Sequence, residues 1–303
     1  MKNPKMNPYA AVVIGVLSVS TSAIFVKLSH APSGVIAFYR LFFSVLFMLP
    51  IFLKKHIHEL KLITKKDLLF STFAGILLAF HFILWFESLN FTSVASSTVL
   101  VTIQPLFAFI GTYIFFKEKL SGKALVSGLI AVLGSVLISW GDFQISGSAL
   151  FGDFLALIAC ALITAYLLFG QTVRRRLSLV TYTFIVYLIS SVTLFIYTLI
   201  VNQPLYPYKL SDWVYFILLA IIPTLLGHTL FNWSLKWVST SIISMAILFE
   251  PVGATILAYF LLDESTVWSQ IVGGLIVIGG ISLFVMDEWK VKINEPIKNS
   301  KLG

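Results

Sequence analysis

The chain has 303 residues, 58% of them hydrophobic and only 11% charged, at a mean hydropathy of +0.97; a soluble domain carries about 45–50% apolar and about 25% charged residues. No water-soluble fold of this size can bury that much apolar surface, so the solvent around most of the chain is lipid. A net charge of +8 does not signal nucleic acid here, because almost no surface lies outside the apolar runs to carry a basic stripe. The single cysteine, Cys160, sits between Ala159 and Ala161, which excludes an intrachain disulfide and reads as a buried structural thiol.

A helix needs about 20 residues to cross a hydrocarbon core of about 30 Å. Apolar runs of that order, bounded by charge, Pro, Asn or Gly, cover residues 9–28, 33–53, 68–89, 93–116, 124–140, 149–170, 180–201, 213–235, 239–262 and 267–286. The fold class expected is therefore an all-α integral membrane protein of ten transmembrane helices. The first run follows Lys2 and Lys5 and holds small residues at 20–23, so a signal peptide is its alternative reading. Its apolar length exceeds a signal core, which favours a retained span.

Lys and Arg stay on the cytoplasmic side during insertion. With the amino terminus inside, the cytoplasmic segments hold every one of the 21 Lys and Arg residues except Lys27, Arg40 and Lys209. An odd number of spans would destroy that separation. Both termini are placed in the cytoplasm of a multi-pass protein of the cell membrane.

Residues 84–137 align without a gap on residues 230–283 at a constant offset of 146. Ser88 and Leu89 meet Ser234 and Leu235, Pro105 meets Pro251, Tyr113 meets Tyr259, Glu118 meets Glu264, and Gly128 and Gly134 meet Gly274 and Gly280. Each half then has five helices, and an odd number turns the second half upside down relative to the first. The expected units are residues 9–140, residues 149–286 and a cytoplasmic tail, 287–303. The junction Lys117-Glu118-Lys119 suits the cytoplasm and its counterpart Asp263-Glu264-Ser265 suits the exterior.

These features resemble the drug/metabolite transporter superfamily, specifically the EamA-like family. The residues that carry the resemblance are Phe25-Val26-Lys27, Tyr39-Arg40, Gln104-Pro105 through Glu118, and Glu250-Pro251 through Glu264 with Gly274 and Gly280. Ile163-Thr164-Ala165-Tyr166 departs from the Trp-Ala pair common in that family. The resemblance implies two inverted five-helix repeats, export of amino acids or similar metabolites, and scaffolding or dimer contacts on the fifth and tenth helices, so a monomer or a homodimer is expected.

Charge inside hydrocarbon costs about 2.5–3.5 kcal/mol on insertion scales, so it normally faces a wet interior. Glu250, directly before Pro251, is the proton-coupling candidate; the competing reading is a protonated carboxyl bonded between helices for packing. Its repeat partner, Gln104, offers an amide at related depth. Arg40, beside Tyr39, has the guanidinium to hold a substrate carboxylate, against a snorkelling alternative. His81 with Trp85, and His228 with Asn232 and Trp233, give each half a polar-aromatic face at one-turn spacing. Neutral histidines bonded to carbonyls are the plainer reading of the pair. The substrate-binding set expected is thus Tyr39, Arg40, His81, Trp85, Gln104, His228, Asn232 and Trp233, around a central cavity that takes a small amphipathic metabolite.

The sequence contains no phosphate-binding Gly-rich loop followed by Lys-Ser/Thr, no Cys/His metal spacing and no nucleophile elbow. No catalytic residue, metal or cofactor is expected, nor is ATP-driven pumping by this chain alone. A secondary carrier working by alternating access is the leading expectation. A passive channel and a membrane enzyme acting on lipid-linked substrates are the alternatives.

Overall fold

A computed structural model describes residues 6–138, 140, 147–263 and 267–299, with side chains described as far as Asp287. Glu264 and Ser265, part of the expected exterior junction, and the end of the tail lie outside the described residues. Among those described there is no strand, and the helices α1 (Pro8–Val19), α2 (Ser22–Leu28), α3 (Ser33–Lys55), α4 (Lys65–Ser88), α5 (Val94–Thr102), α6 (Pro105–Phe116) and α7 (Gly122–Ile138) make the first half. The second half holds α8 (Gly147–Val173), α9 (Leu179–Ile200), α10 (Leu210–Leu219), α11 (Thr229–Ser234), α12 (Thr240–Ile247), α13 (Glu250–Leu261) and α14 (Trp268–Asn299). Joined across their breaks, these make nine helices long and apolar enough to cross a membrane among the described residues, with α7 shorter at 17 residues. The ten runs read from the sequence match them within a few residues at each end. The chain is an all-α membrane protein.

Local chemistry sets the starts. Asn7 caps α1 by accepting from the Tyr9 N–H at 2.9 Å, with Pro8 in the first turn where a missing donor costs nothing. Thr64 and Asp67 form a reciprocal capping box on α4. Ser93 and Ser178 cap α5 and α9.

The breaks are equally local. Ser20 Oγ donates to the Val16 carbonyl and Thr21 Oγ1 to the Ser18 carbonyl, offering the backbone a way out of the helix between α1 and α2. Pro105 and Pro251 have no N–H to continue α5 and α12, so α6 and α13 start afresh at mid-membrane. Between α10 and α11, residues Ala220–His228 wind as a π-helix. Pro223 there cannot donate to the Leu219 carbonyl, which instead accepts from Thr224 Oγ1 at 2.8 Å.

The repeat extends to the backbone. Lys117 after α6 and Asp263 after α13, again 146 apart, both adopt positive φ, 56° and 54°. The packing obeys the same exchange. α3 packs on α9 and α7 on α14, and each of these pairs maps onto itself when the halves are swapped, while α5 on α13 maps onto α12 on α6, which also pack together. The pair α4–α8 maps onto the π-containing span against α1.

The α7–α14 seam is closest. A Cβ added at Gly134 would lie 2.8 Å from the Val277 nitrogen, and one at Gly280 would lie 2.7 Å from the Ala131 nitrogen. Only glycine lets these backbones touch. Outward-facing Ile110, Phe115 and Leu275 are more than 60% exposed, as side chains against lipid tails are.

Candidate functional site

The two proline breaks place their preceding residues at the same depth. Gln104 is the residue before α6 and Glu250 opens α13, and both line one internal cavity. Ser22 reaches it from the start of α2, His81 and Trp85 from α4, Ile163 and Leu167 from α8, and His228 and Phe231 from the end of the π segment and from α11. Each half thus contributes a broken helix and a polar-aromatic helix, the arrangement in which carriers hold solutes at mid-membrane.

The lining is rich in polar atoms without partners. Among the described residues, Trp85 Nε1, Gln104 Oε1 and His228 Nδ1 have no hydrogen-bond partner, and none bonds the Glu250 carboxyl. A buried donor or acceptor left unpaired costs about 1–3 kcal/mol, a cost that water or a solute in the cavity would offset. Glu250 is only 6% exposed, and its carboxyl lies at the start of α13, the positive end of the helix dipole.

His81 differs from His228. Its Nδ1 lies 2.9 Å from the Ala159 carbonyl, and because a carbonyl only accepts, that nitrogen carries the hydrogen. His81 also stacks on Trp85, with ring centroids 5.7 Å apart. His228 instead meets Phe82, Tyr166 and Phe231 edge-on, leaving its Nδ1 unused.

Arg40 does not snorkel. It is fully buried, its Nε donates to Thr224 Oγ1 at 2.7 Å and its Nη1 to Ser22 Oγ at 2.8 Å. The guanidinium lies over the Phe82 ring, 4.1 Å from its centroid. Arg40 therefore ties α2 to the π segment immediately behind the cavity wall. Its Nη2 has no partner among the described residues, and it attracts Glu250 without a direct ion pair.

The remaining expected site residues fall elsewhere. Asn232 is buried beside the cavity, where its Nδ2 donates to the His228 carbonyl at 2.7 Å and to the Tyr166 hydroxyl. Trp233 packs against Trp237, with centroids 4.3 Å apart, and is not among the lining residues. Tyr39 donates its hydroxyl to the Leu205 carbonyl and sits among Phe43, Trp213 and Phe216. It belongs to an aromatic cluster away from the cavity.

Sequence reasoning missed Ser22, Phe82 and Thr224 as the partners of Arg40. The hydroxyl run Ser20-Thr21-Ser22 was the available signal for the first; nothing marked the other two. It also missed Arg174 and Asp212, charged groups at helix ends that are 3% and 1% exposed. Among the described residues no group of His, Cys, Asp or Glu is placed to hold a metal ion.

The cavity is narrow. Its volume is about 20 Å³, room for about one water molecule and too small for a metabolite.

The EamA-like transporter family matches residues 6–140 and again residues 150–286. A transporter of Archaeoglobus fulgidus, itself uncharacterized, is 23% identical over 275 residues, 90% of this chain and 94% of that one. The riboflavin transporter ImpX of Fusobacterium nucleatum is 23% identical, covering 77% of this chain and 80% of its own. The transporter YetK of Bacillus subtilis, also uncharacterized, is 27% identical over 74% of this chain and 70% of its own. A protein solved by crystallography superposes with a TM-score of 0.76 at 15% identity, over 93% of this chain and 99% of that one, which shows a shared fold.

Proposed function

Given that the chain belongs to the EamA-like transporter family, we propose that it is a secondary carrier that exports a small amphipathic metabolite, with amino acids as the first class, by alternating access and coupled to protons through Glu250. The observation that carries this reading is the meeting, in one mid-membrane cavity, of unpartnered Trp85 Nε1, Gln104 Oε1 and His228 Nδ1 with the Glu250 carboxyl. Donors and acceptors facing an aromatic wall suit a solute with a polar head and an apolar body. Arg40, fixed by Ser22 and Thr224, supplies the positive charge that steadies Glu250 when ionised and a substrate carboxylate when one is bound. The Lys and Arg distribution supports cytoplasmic termini in the cell membrane.

One relative is named a riboflavin transporter. That favours a second reading of the same site, in which Trp85 and Phe231 take a planar heterocycle, without changing the role of Glu250.

Proteoliposomes loaded with amino acids, purines, sugars and riboflavin decide between these. Efflux of one class that needs an inward proton gradient and fails in Glu250→Gln supports the coupled exporter. Efflux indifferent to both the gradient and the substitution makes the protein an uncoupled facilitator. No flux of any solute overturns the reading.

A further inference from the structure

Each half begins with a span that ends in a cation. Lys27 is the penultimate residue of α2, and Arg174 follows the last residue of α8. Two spans on, each half has a helix end that returns to the same face, Leu89 after α4 and the turn that ends α11. Lys27 Nζ donates to the Leu89 carbonyl at 2.6 Å. Arg174 Nε donates to the Asn232 carbonyl at 2.9 Å, and its Nη1 to the Leu177 carbonyl. The halves are inverted repeats, so the two bonds fall at opposite ends of the helix bundle.

Resting on the carrier reading above, we propose that Lys27 and Arg174 are equivalent latches, one at each mouth, each holding the first span of its half to the third and each releasing when its own side opens. A cation bonded to a carbonyl suits this task. The acceptor is backbone, present whatever side chain the helix carries, and the charge rehydrates readily once the helices part.

Neighbouring contacts share each closure. On the Lys27 face, Asp212 Oδ1 accepts from the His30 N–H at 2.9 Å and from Ser29 Oγ at 3.1 Å, and Asn90 Nδ2 donates to Ser33 Oγ at 3.2 Å. On the Arg174 face, the Thr240 N–H donates to Gln171 Oε1 at 2.7 Å. Arg174 is more deeply buried than Lys27, and burial brings its guanidinium down to about 10, which leaves it charged at neutral pH. Both latches are made at once here, in keeping with a cavity of about 20 Å³.

The test uses the full chain in sealed vesicles of known orientation, with Cys160→Ala and a reporter thiol introduced by Val101→Cys in the cavity wall. A membrane-impermeant maleimide is applied from either side, and folded protein is selected as the monodisperse fraction on gel filtration. Lys27→Met is expected to speed labelling at least tenfold from the α2–α3 face only, and Arg174→Gln from the α8–α9 face only. Lys27→Arg and Arg174→Lys, which keep a donor, are expected to stay within about twofold of the parent. Acceleration from the wrong face, from both faces, from neither, or equally in the conservative variants overturns the latches. If Arg174→Gln yields no folded protein, Lys27→Met and Lys27→Arg decide by the same criteria. Labelling needs no solute, so mouths that open in a protein that moves nothing leave the latches standing and remove the carrier reading. Transport with unchanged labelling removes only the latches.

Discussion

Two regions that exchange places when the halves are swapped are built differently. α4 and α8 run unbroken for 24 and 27 residues and pack along their length. Their counterparts are interrupted: α1 and α2 are separated at Ser20-Thr21, and the span against them is π-wound over nine residues. A helix missing regular i to i−4 bonds bends at lower cost than an intact one. Compliance is therefore concentrated on one side of the cavity while the other serves as a fixed wall, and Arg40, bonded to Ser22 and Thr224, clamps the two broken elements together.

The clamp is the first place to break this contrast. Arg40→Met leaves two buried hydroxyls short of a charged donor, at about 1.5–3 kcal/mol for each bond. The expected outcome is the largest fall in thermal midpoint of any single change at the cavity, together with loss of flux. A midpoint near the parent's would mean that the broken pair stands without its clamp.

Glycines on the two sides sharpen the contrast next. A Cβ at Gly75 in α4 would come within 2.9 Å of the Val186 carbonyl oxygen and 2.8 Å of Ile189 Cβ. At Gly227 the nearest atom, at 2.6 Å, is a methyl of Val19, next to the α1 break. Gly75→Ala should cost about 1–3 kcal/mol and Gly227→Ala clearly less, read from unfolding in detergent. Equal costs would show that the broken side is as stiff as the intact one.

The histidines divide the same way. His81→Phe forfeits the bond to Ala159 and should lower stability by about 1 kcal/mol with modest loss of flux. His228→Phe keeps an aromatic ring for the edge-on contacts and removes both ring nitrogens, neither of which holds a hydrogen bond among the described residues, so its stability should hold while transport falls at least tenfold. The reverse pattern would exchange their roles.

The smallest effect lies outside the membrane, where Glu59 joins the 3-10 turn Ile57–Leu62 to the start of α9. Its carboxyl lies 2.7 Å from Thr181 Oγ1 and 2.9 Å from His56 Nδ1, and it accepts from the Ser178 N–H at 3.3 Å. Burial alone would raise it, but the bonds from Ser178, His56 and Thr181 outweigh burial and hold it at about 2, below the ordinary 4.5. The stability it contributes is complete above pH 4.5 and is lost as pH falls from there through 2. Glu59→Gln should therefore cost up to about 1 kcal/mol at pH 7, a difference that closes in acid. A gap constant across pH would place the effect in packing.

Depth was legible in the sequence and direction was not. Apolar length located the spans, and Pro105 and Pro251 located the breaks, because both signals act locally on the backbone. Each residue turns a helix by about 100°, so neighbours at one depth point apart. Arg40 faces Phe82 while Tyr39 faces Trp213. Trp233, five residues after His228, falls off the face that Asn232, four residues after it, shares. His81 and Trp85, also four apart, both reach the cavity. The π segment left little trace beyond Pro223, since its winding follows from which hydroxyls take the freed carbonyls.

The seam between α7 and α14 also bears on how two copies of one ancestral half can drift apart. Where Gly134 and Gly280 rest on the opposite copy's backbone, a change in either copy must be accommodated by main chain, which no compensating side chain can restore. At the proline breaks, by contrast, Gln104 and Glu250 face the cavity and differ as amide and acid. Duplication thus leaves the contact surface locked to its origin and the interior free to acquire a new chemistry one half at a time.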